Sequence, residues 1–277
     1  MNKLEFRLLG SVEARVDGQP IDLGYAKQRC VLALLLVDVG RVVPAGRLID
    51  RIWGPAPPPS ARSVLYGHVA RLRRALAEAG GSAAGVHLHR RSGGYLLDAD
   101  PASIDLHRFR ALTARARRCG GTGDFAAQVS LLNEALDLWR GPALTGTDGP
   151  WVEQIRFGLE RERIAARLAY CDARMRLGGH DDVVSELAEL AADDPLNEGV
   201  ISRLMLALYR TGHIGAALDS FAQARQRLVD QLGTDPGVEL DELHRSILRR
   251  DAALTGLWEA TPIPAAGGGS DSGGRNS

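Results

Sequence analysis

Gly54-Pro-Ala-Pro-Pro-Pro-Ser60, then Ala61-Arg-Ser-Val-Leu-Tyr-Gly-His-Val-Ala-Arg-Leu-Arg-Arg-Ala-Leu-Ala-Glu-Ala79, then Val86-His-Leu-His-Arg-Arg-Ser-Gly-Gly-Tyr-Leu-Leu97 is the stretch that decides the fold. Prolines forbid helix in the first part. Ser60 stands as N-cap of a helix over 61–79. At 100° per residue, Leu65, Val69, Leu72 and Leu76 share one narrow apolar stripe. The opposite arc carries Ser63, Val64, Gly67, Arg71 and Arg74, with His68 and Ala70 at its edges. Gly80-Gly81 ends the helix, and 86–91 with 95–97 form a hairpin about Ser92-Gly93-Gly94. From Gly54 to Tyr95 there are six arginines (Arg62, Arg71, Arg73, Arg74, Arg90, Arg91) against one acid, Glu78, a balance of +5 in a chain of net charge zero. That concentration calls for a polyanion, and an amphipathic helix beside a basic hairpin points to duplex DNA.

Working outward, residues 1–100 hold 14 basic and 9 acidic residues, while 101–253 hold 19 and 23, so the anion-binding charge sits in the first part. Of the 34 basic residues only Lys3 and Lys27 are lysine. Such a bias reflects base composition of the coding DNA as much as function, which leaves a solvated arginine face as the bland alternative. The charge excess, proline loop and hairpin agree with one another and favour DNA.

The N-terminus alternates: Leu4, Phe6 and Leu8 against Glu5 and Arg7, then Val12, Ala14 and Val16. Asp17-Gly18 marks a turn, with Ile21 to Leu23 as the expected returning strand. A core helix over 26–39 stops at Gly40, and Pro44 opens a short helix over 45–53. Sheet, three helices and hairpin make a winged helix. Its third helix is long enough for a major groove. Gly67 permits close approach there, and Arg71 and Arg74 reach guanine edges or phosphates. Arg62 and Arg73 lie toward the backbone, and Arg90 and Arg91 at the hairpin tip reach a minor groove. Beyond Asp105 helices are expected over 106–119, 125–139, 152–177, 182–192, 198–210, 214–232 and 240–249. Gly123-Asp124, Gly179-His180 and Gly212-His213 open helices in a repeat-like manner.

Other chemistry is weakly signalled. Cys30, Cys119 and Cys171 lack zinc spacing, and Cys30 reads as a small core residue in a reducing cytoplasm. His87 and His89 share a strand face but read as an exposed pair. His180 and His213, and the Asp181-Asp182 and Asp193-Asp194 pairs, read as helix-end features. Gly267-Gly268-Gly269-Ser270 has no lysine after it and is no phosphate loop, and Trp139 and Trp151 read as core. No cofactor, metal, nucleophile–base pair, leader peptide or membrane span is expected, so an enzyme is disfavoured.

Several motifs give a more specific reading. Leu48-Ile-Asp-Arg-Ile-Trp-Gly54, the proline loop, Arg71-Leu-Arg-Arg-Ala-Leu76 and Gly94-Tyr95 resemble the winged-helix output domain of OmpR-type response regulators. Asp105-Leu-His-Arg-Phe109, Ala135-Leu-Asp-Leu-Trp-Arg-Gly-Pro-Ala-Leu144, Ala207-Leu-Tyr-Arg-Thr-Gly212 and Leu232-Gly-Thr-Asp-Pro-Gly237 resemble the bacterial transcriptional activator domain. Together, over residues 4 to about 253, they resemble the Streptomyces antibiotic regulatory protein family of pathway-specific activators.

The expected architecture is an α+β winged helix-turn-helix domain (1–98), an all-α tetratricopeptide-like domain (104–253) and a disordered tail (254–277). The resemblance implies groove contacts from Ser63, Val64, Gly67, His68, Arg71 and Arg73, a wing contact from Arg91, and Tyr95 bracing the hairpin. It implies that the loop Gly54, Pro55, Pro57, Pro58, Pro59, Ser60 and the short helix before it, with Arg51 and Trp53, face RNA polymerase. Sigma region 4 is the expected contact, with the alpha C-terminal domain a second candidate. Two protomers would lie side by side on promoter direct repeats, in the cytoplasm on the nucleoid. Val64 and Gly67 depart from residues that contact DNA in response regulators, so site preference does not transfer. With no receiver, ATPase or sensor module in the chain, phospho-aspartate control is not implied. A repressor, or a regulator whose helical half is a ligand-binding scaffold, are the rival readings.

Helix geometry predicts that Arg71→Ala weakens specific binding by about 1–3 kcal/mol and relaxes preference at one base, while Arg62→Ala weakens all sequences alike. Titrations against matched and mismatched duplexes check this. Equal behaviour of the two variants would refute the assigned reading face.

Overall fold

A computed structural model describes residues 3–255. Strands β1 (Leu4–Arg7), β2 (Glu13–Val16) and β3 (Gln19–Pro20) form an antiparallel sheet in that order. Leu4, Phe6 and Ala14 are buried and their neighbours are half-exposed, as a sheet with one solvated face requires. Asp17 and Gly18, at φ 46° and 82°, make the two-residue turn. The returning strand falls on Gln19–Pro20 and not on 21–23. Ile21 adds one bond to Ala14 O, and the Gly24 N–H on the Asp22 carboxylate then turns the chain away.

Helix α1 (Ala26–Val37) is buried continuously from Cys30 to Leu36, and Cys30 is a core thiol pushed up to about 12 mainly by burial. The helix stops at Asp38, before the expected Val39. After Gly40 comes a strand the sequence pattern did not reveal, β4 (Val42–Pro44), three residues long. Helix α2 (Ala45–Trp53) and helix α3 (Ala61–Glu78) follow. Leu65, Val69, Leu72 and Leu76 are all buried. Ser60 does not cap α3 with its side chain; its carbonyl accepts from the Val64 N–H and the Ser63 hydroxyl. At the other end Gly80 is left-handed (φ 77°) and the Gly81 N–H reaches Leu76 O at 2.8 Å, a Schellman close.

Strands β5 (His87–Arg91) and β6 (Gly94–Asp98) form the hairpin, and β6 sits between β4 and β5. A Cβ at Gly94 would lie 2.2 Å from Val43 O, so only glycine lets β4 pair there.

Helices α4 (Asp105–Gly121), α5 (Phe125–Leu136) and α6 (Pro150–Arg176) complete the first compact unit. Asp124 caps α5 through Ala127 N–H. Trp139 and Trp151 are buried, Trp139 edge-on to Phe109. This unit runs to Leu177, so packing does not divide the chain between residues 98 and 104. A hydrophobic core running from Leu4 to Ala166 and a buried carboxylate both bridge that stretch. Asp105 accepts from the Leu8 and Leu9 N–H groups at 2.8 and 3.1 Å and pairs with Arg140. The loop after α5 then runs beside β1: Arg140 and Leu144 N–H donate to Leu9 and Leu8 O, and Thr145 N–H to Gly10 O.

The second unit begins at Gly178 and contains α7 (His180–Asp193), α8 (Glu198–Arg210), α9 (Ile214–Leu232) and α10 (Val238–Leu248). Helix α8 packs against the other three. Asn197 caps α8. Asp181 and Asp182 occupy the first turn of α7, where the helix dipole favours them. Asp193 sits at the opposite end, so the dipole does not account for it; Asp194 instead accepts from Asn197 Nδ2. Neither His180 nor His213 caps a helix with its side chain. From residue 256 the expected tail lies outside the described residues, and no helix among those described is long and apolar enough to cross a membrane.

Asp105→Ala leaves two buried N–H groups and the Arg140 guanidinium without their acceptor. The expected loss is about 3–5 kcal/mol, read as a lowered urea midpoint. An unchanged midpoint would show that the carboxylate does not hold the sheet to the helices.

Candidate nucleic-acid interface

The exposed face of α3 presents Arg62, Ser63, Val64, Tyr66, Ala70, Arg71, Arg73 and Arg74. Arg62 and Arg74, with Arg91 on the wing, form no ion pair or side-chain hydrogen bond among the described residues. They are free to swing toward an anion. Ser63 is exposed, but its hydroxyl is committed to Ser60 O.

The other basic side chains are held. Arg73 Nε donates to Leu88 O at 3.0 Å, which pins the wing to α3, so its role is structural at least in part. Arg90 lies 5.2 Å over the Tyr66 ring, and Tyr66 meets Tyr95 edge-on at 6.4 Å. Tyr95 is 3% exposed, as a brace should be, and burial raises its phenol pKa. Tyr66 was absent from the expected site, although it is the one aromatic residue on α3. Its packing role follows from the hairpin folding back over it.

His68 corrects an expectation. It was placed at the edge of the outer arc, yet only 7% of it is exposed. Arg71 Nη2 lies 3.0 Å from His68 Nδ1, and Arg71 Nε donates to Gln28 Oε1 at 2.9 Å. Burial, then the charges of Arg71 and Lys27, hold the imidazole pKa below its ordinary value. Gln28 is itself buried on α1, a residue the apolar reading of that helix passed over. Its signal was a polar side chain in a segment apolar nearly all round. Gly67 does leave space, but the Arg71 guanidinium covers it: a Cβ there would be 3.7 Å from Nη1 and Nη2.

The proline loop divides in two. Pro55, Pro57, Pro58, Pro59 and Ser60 are exposed. Arg51, Trp53 and Gly54 are half-buried. Arg51 pairs with Asp38 at 2.9 Å and lies over the Trp151 ring of α6. Trp53 sits under Lys27, and a Cβ on Gly54 (φ 71°) would be 3.3 Å from Pro150 Cγ. These three residues hold α2 and its loop in place, and the prolines are the part offered outward. The His87 and His89 rings lie 5.6 Å apart at 32° to one another, and the described residues contain no group of three or more metal-ligating side chains.

Residues 18–97 match the C-terminal domain of transcriptional regulatory proteins, and residues 104–248 match the bacterial transcriptional activator domain. Regulatory protein AfsR of Streptomyces coelicolor is 39% identical over 93% of the chain. The chain spans about a quarter of the length of the AfsR relatives it matches. Regulatory protein DnrI of Streptomyces peucetius is 34% identical over 95% of the chain and 98% of its own length. A solved structure of Mycobacterium tuberculosis EmbR, in complex with a low-affinity phosphopeptide, superposes with TM-score 0.85 at 31% identity. It covers 92% of this chain and 69% of that one. A winged-helix region followed by tetratricopeptide-like helices, matched along nearly its whole length by these regulators, places the chain in the Streptomyces antibiotic regulatory protein family of bacterial transcriptional regulators.

Proposed function

We propose that the chain activates transcription of a secondary-metabolite gene cluster by binding tandem direct repeats near a −35 element. Two protomers lie side by side there, and the exposed prolines 55–59 with Ser60 meet sigma region 4. The observation that carries the DNA reading is the set of unpartnered arginines Arg62, Arg74 and Arg91, with the exposed Arg71, on α3 and the wing. A chain of net charge zero has no general affinity for polyanions, so local charge must supply it. Phosphate contacts then dominate affinity and make it salt-dependent.

One observation favours the ligand-sensing alternative. A groove of about 380 Å³ lies between α4, α5 and α6, floored by Phe109 and Leu132 and bordered by Arg117. Its central charges, Arg110 and Glu162, are already joined by two hydrogen bonds. Thr113, Arg117 and Gln128 also line it, and the activator reading is preferred because the exposed arginines of α3 match a polyanion directly.

Footprinting and in vitro transcription on the same promoter fragments test the proposal. Protection near the −35 element with more transcript is the expected result. Deleting Pro57–Pro59 should abolish the transcript and leave the footprint. Less transcript on a protected template would make the protein a repressor. Arg62→Ala and Arg74→Ala should each lower the slope of log affinity against log salt by about 0.9 if each meets one phosphate; unaltered slopes would remove these residues from the backbone contacts.

A further inference from the structure

The arginines of α3 are not equivalent. Arg62 and Arg74 have no partner among the described residues, whereas Arg71 is fixed from two sides. Its Nε donates to Gln28 Oε1 on α1, and its Nη2 faces His68 Nδ1 one turn back on α3. Both contacts use the same side edge of the guanidinium. No hydrogen bond engages Nη1 among the described residues, and the exposed side chain lies over Gly67, which has no Cβ to cover it. A free two-pronged donor of that shape matches guanine O6 and N7.

We propose that Gln28 and His68 are positioning residues that clamp the Arg71 side edge and so aim its outer fork at one guanine of the operator. This rests on the DNA-binding reading above and adds which residue reads a base and what orients it. Gln28 is 4% exposed and His68 7%, so neither is placed to reach a base itself. The clamp removes rotamer freedom that an unrestrained arginine would lose on binding, which concentrates the benefit on the correct base. Unclamped Arg62 and Arg74 suit phosphate, where a diffuse contact suffices.

The chemistry of His68 makes the clamp testable beyond packing. Arg71 can donate only to a bare Nδ1, which puts the ring proton on Nε2, a buried atom with no hydrogen-bond partner among the described residues. Protonation would set an N–H against a guanidinium, with the charge of Lys27 on α1 also opposing it. Burial and both cations lower the histidine pKa, so the clamp persists through neutral pH and opens as pH falls below the ordinary value of 6.5. The unfolded chain takes up the proton first, so the stability tied to neutral His68 is present above that value and declines below it.

The test uses the full chain. A site is selected from a pool of randomised duplexes, and each base pair is then substituted in turn at fixed salt. Wild type is expected to prefer one guanine by about 10–100-fold, and Arg71→Ala to lose that preference. Gln28→Leu and His68→Leu should each reduce it by about threefold or more, with affinity for random duplex and the salt slope unchanged. Gln28→Glu and His68→Asn retain a bare oxygen acceptor and should restore the preference. Wild-type discrimination should fall as pH is lowered below 6.5, and that of His68→Asn should not. If the leucine variants unfold on heating before wild type, the two conservative variants and the pH comparison decide. Wild-type discrimination in the leucine variants, or in Arg71→Ala, overturns the clamp alone. Absence of any duplex binding by wild type at low salt overturns the DNA-binding reading and the clamp with it.

Discussion

A single buried carboxylate holds the first unit together. Asp105 starts α4 and accepts from the backbone of Leu8 and Leu9 just beyond β1, while Arg140 returns from the loop after α5 to neutralise it. A buried charge is tolerated only when its lone pairs are filled, and here two segments distant in the chain fill them. Removing the carboxylate would strand both. The same loop covers the backbone that follows β1, because Arg140, Leu144 and Thr145 donate to the carbonyls of Leu9, Leu8 and Gly10. A strand margin that could otherwise recruit another chain is closed within the molecule.

That constraint has a functional consequence. His107 of α4 lies 2.8 Å from Leu36 O near the end of α1, and Arg51 of α2 rests over Trp151 of α6. The helices beneath α3 therefore have a second layer of support. A recognition helix carried on that base presents its side chains with little adjustment, which matters most for a bidentate contact whose geometry is strict. The prolines gain similarly. They stiffen their own loop, and the packing of Arg51, Trp53 and Gly54 below them sets where the loop stands.

Arginine identity alone said little about role. Arg29 binds the carbonyls of Gly24 and Gly146, Arg73 ties the wing to α3, Arg140 serves the buried carboxylate, and Arg71 is clamped. Only Arg62, Arg74 and Arg91 of the expected DNA-facing set are without such a partner among the described residues. The same guanidinium can be a structural donor, an oriented reader or a mobile phosphate contact. Its neighbours decide which.

Local order was legible from sequence because it depends on local information. Periodicity located the buried stripe of α3, punctuation by proline and glycine located α2 and the helices from α4 to α10, and Asp17-Gly18 located the first turn. The charge excess and the paired motifs pointed to a DNA-binding regulator before any coordinates. Tertiary structure alone supplied what depends on partners distant in the chain. Three-residue β4 exists because β6 pairs with it, and no three residues carry a readable period. His68 is buried with Arg71 against its ring, and Gln28 became part of the site because its side chain on α1 meets Arg71. The first compact unit runs to Leu177, past the junction of the two family matches, and the Asp105–Arg140 contact and a shared core lie across that junction. A residue's own pattern records which way it prefers to face; the group it meets there is set by chain segments as far apart as Leu8 and Leu144.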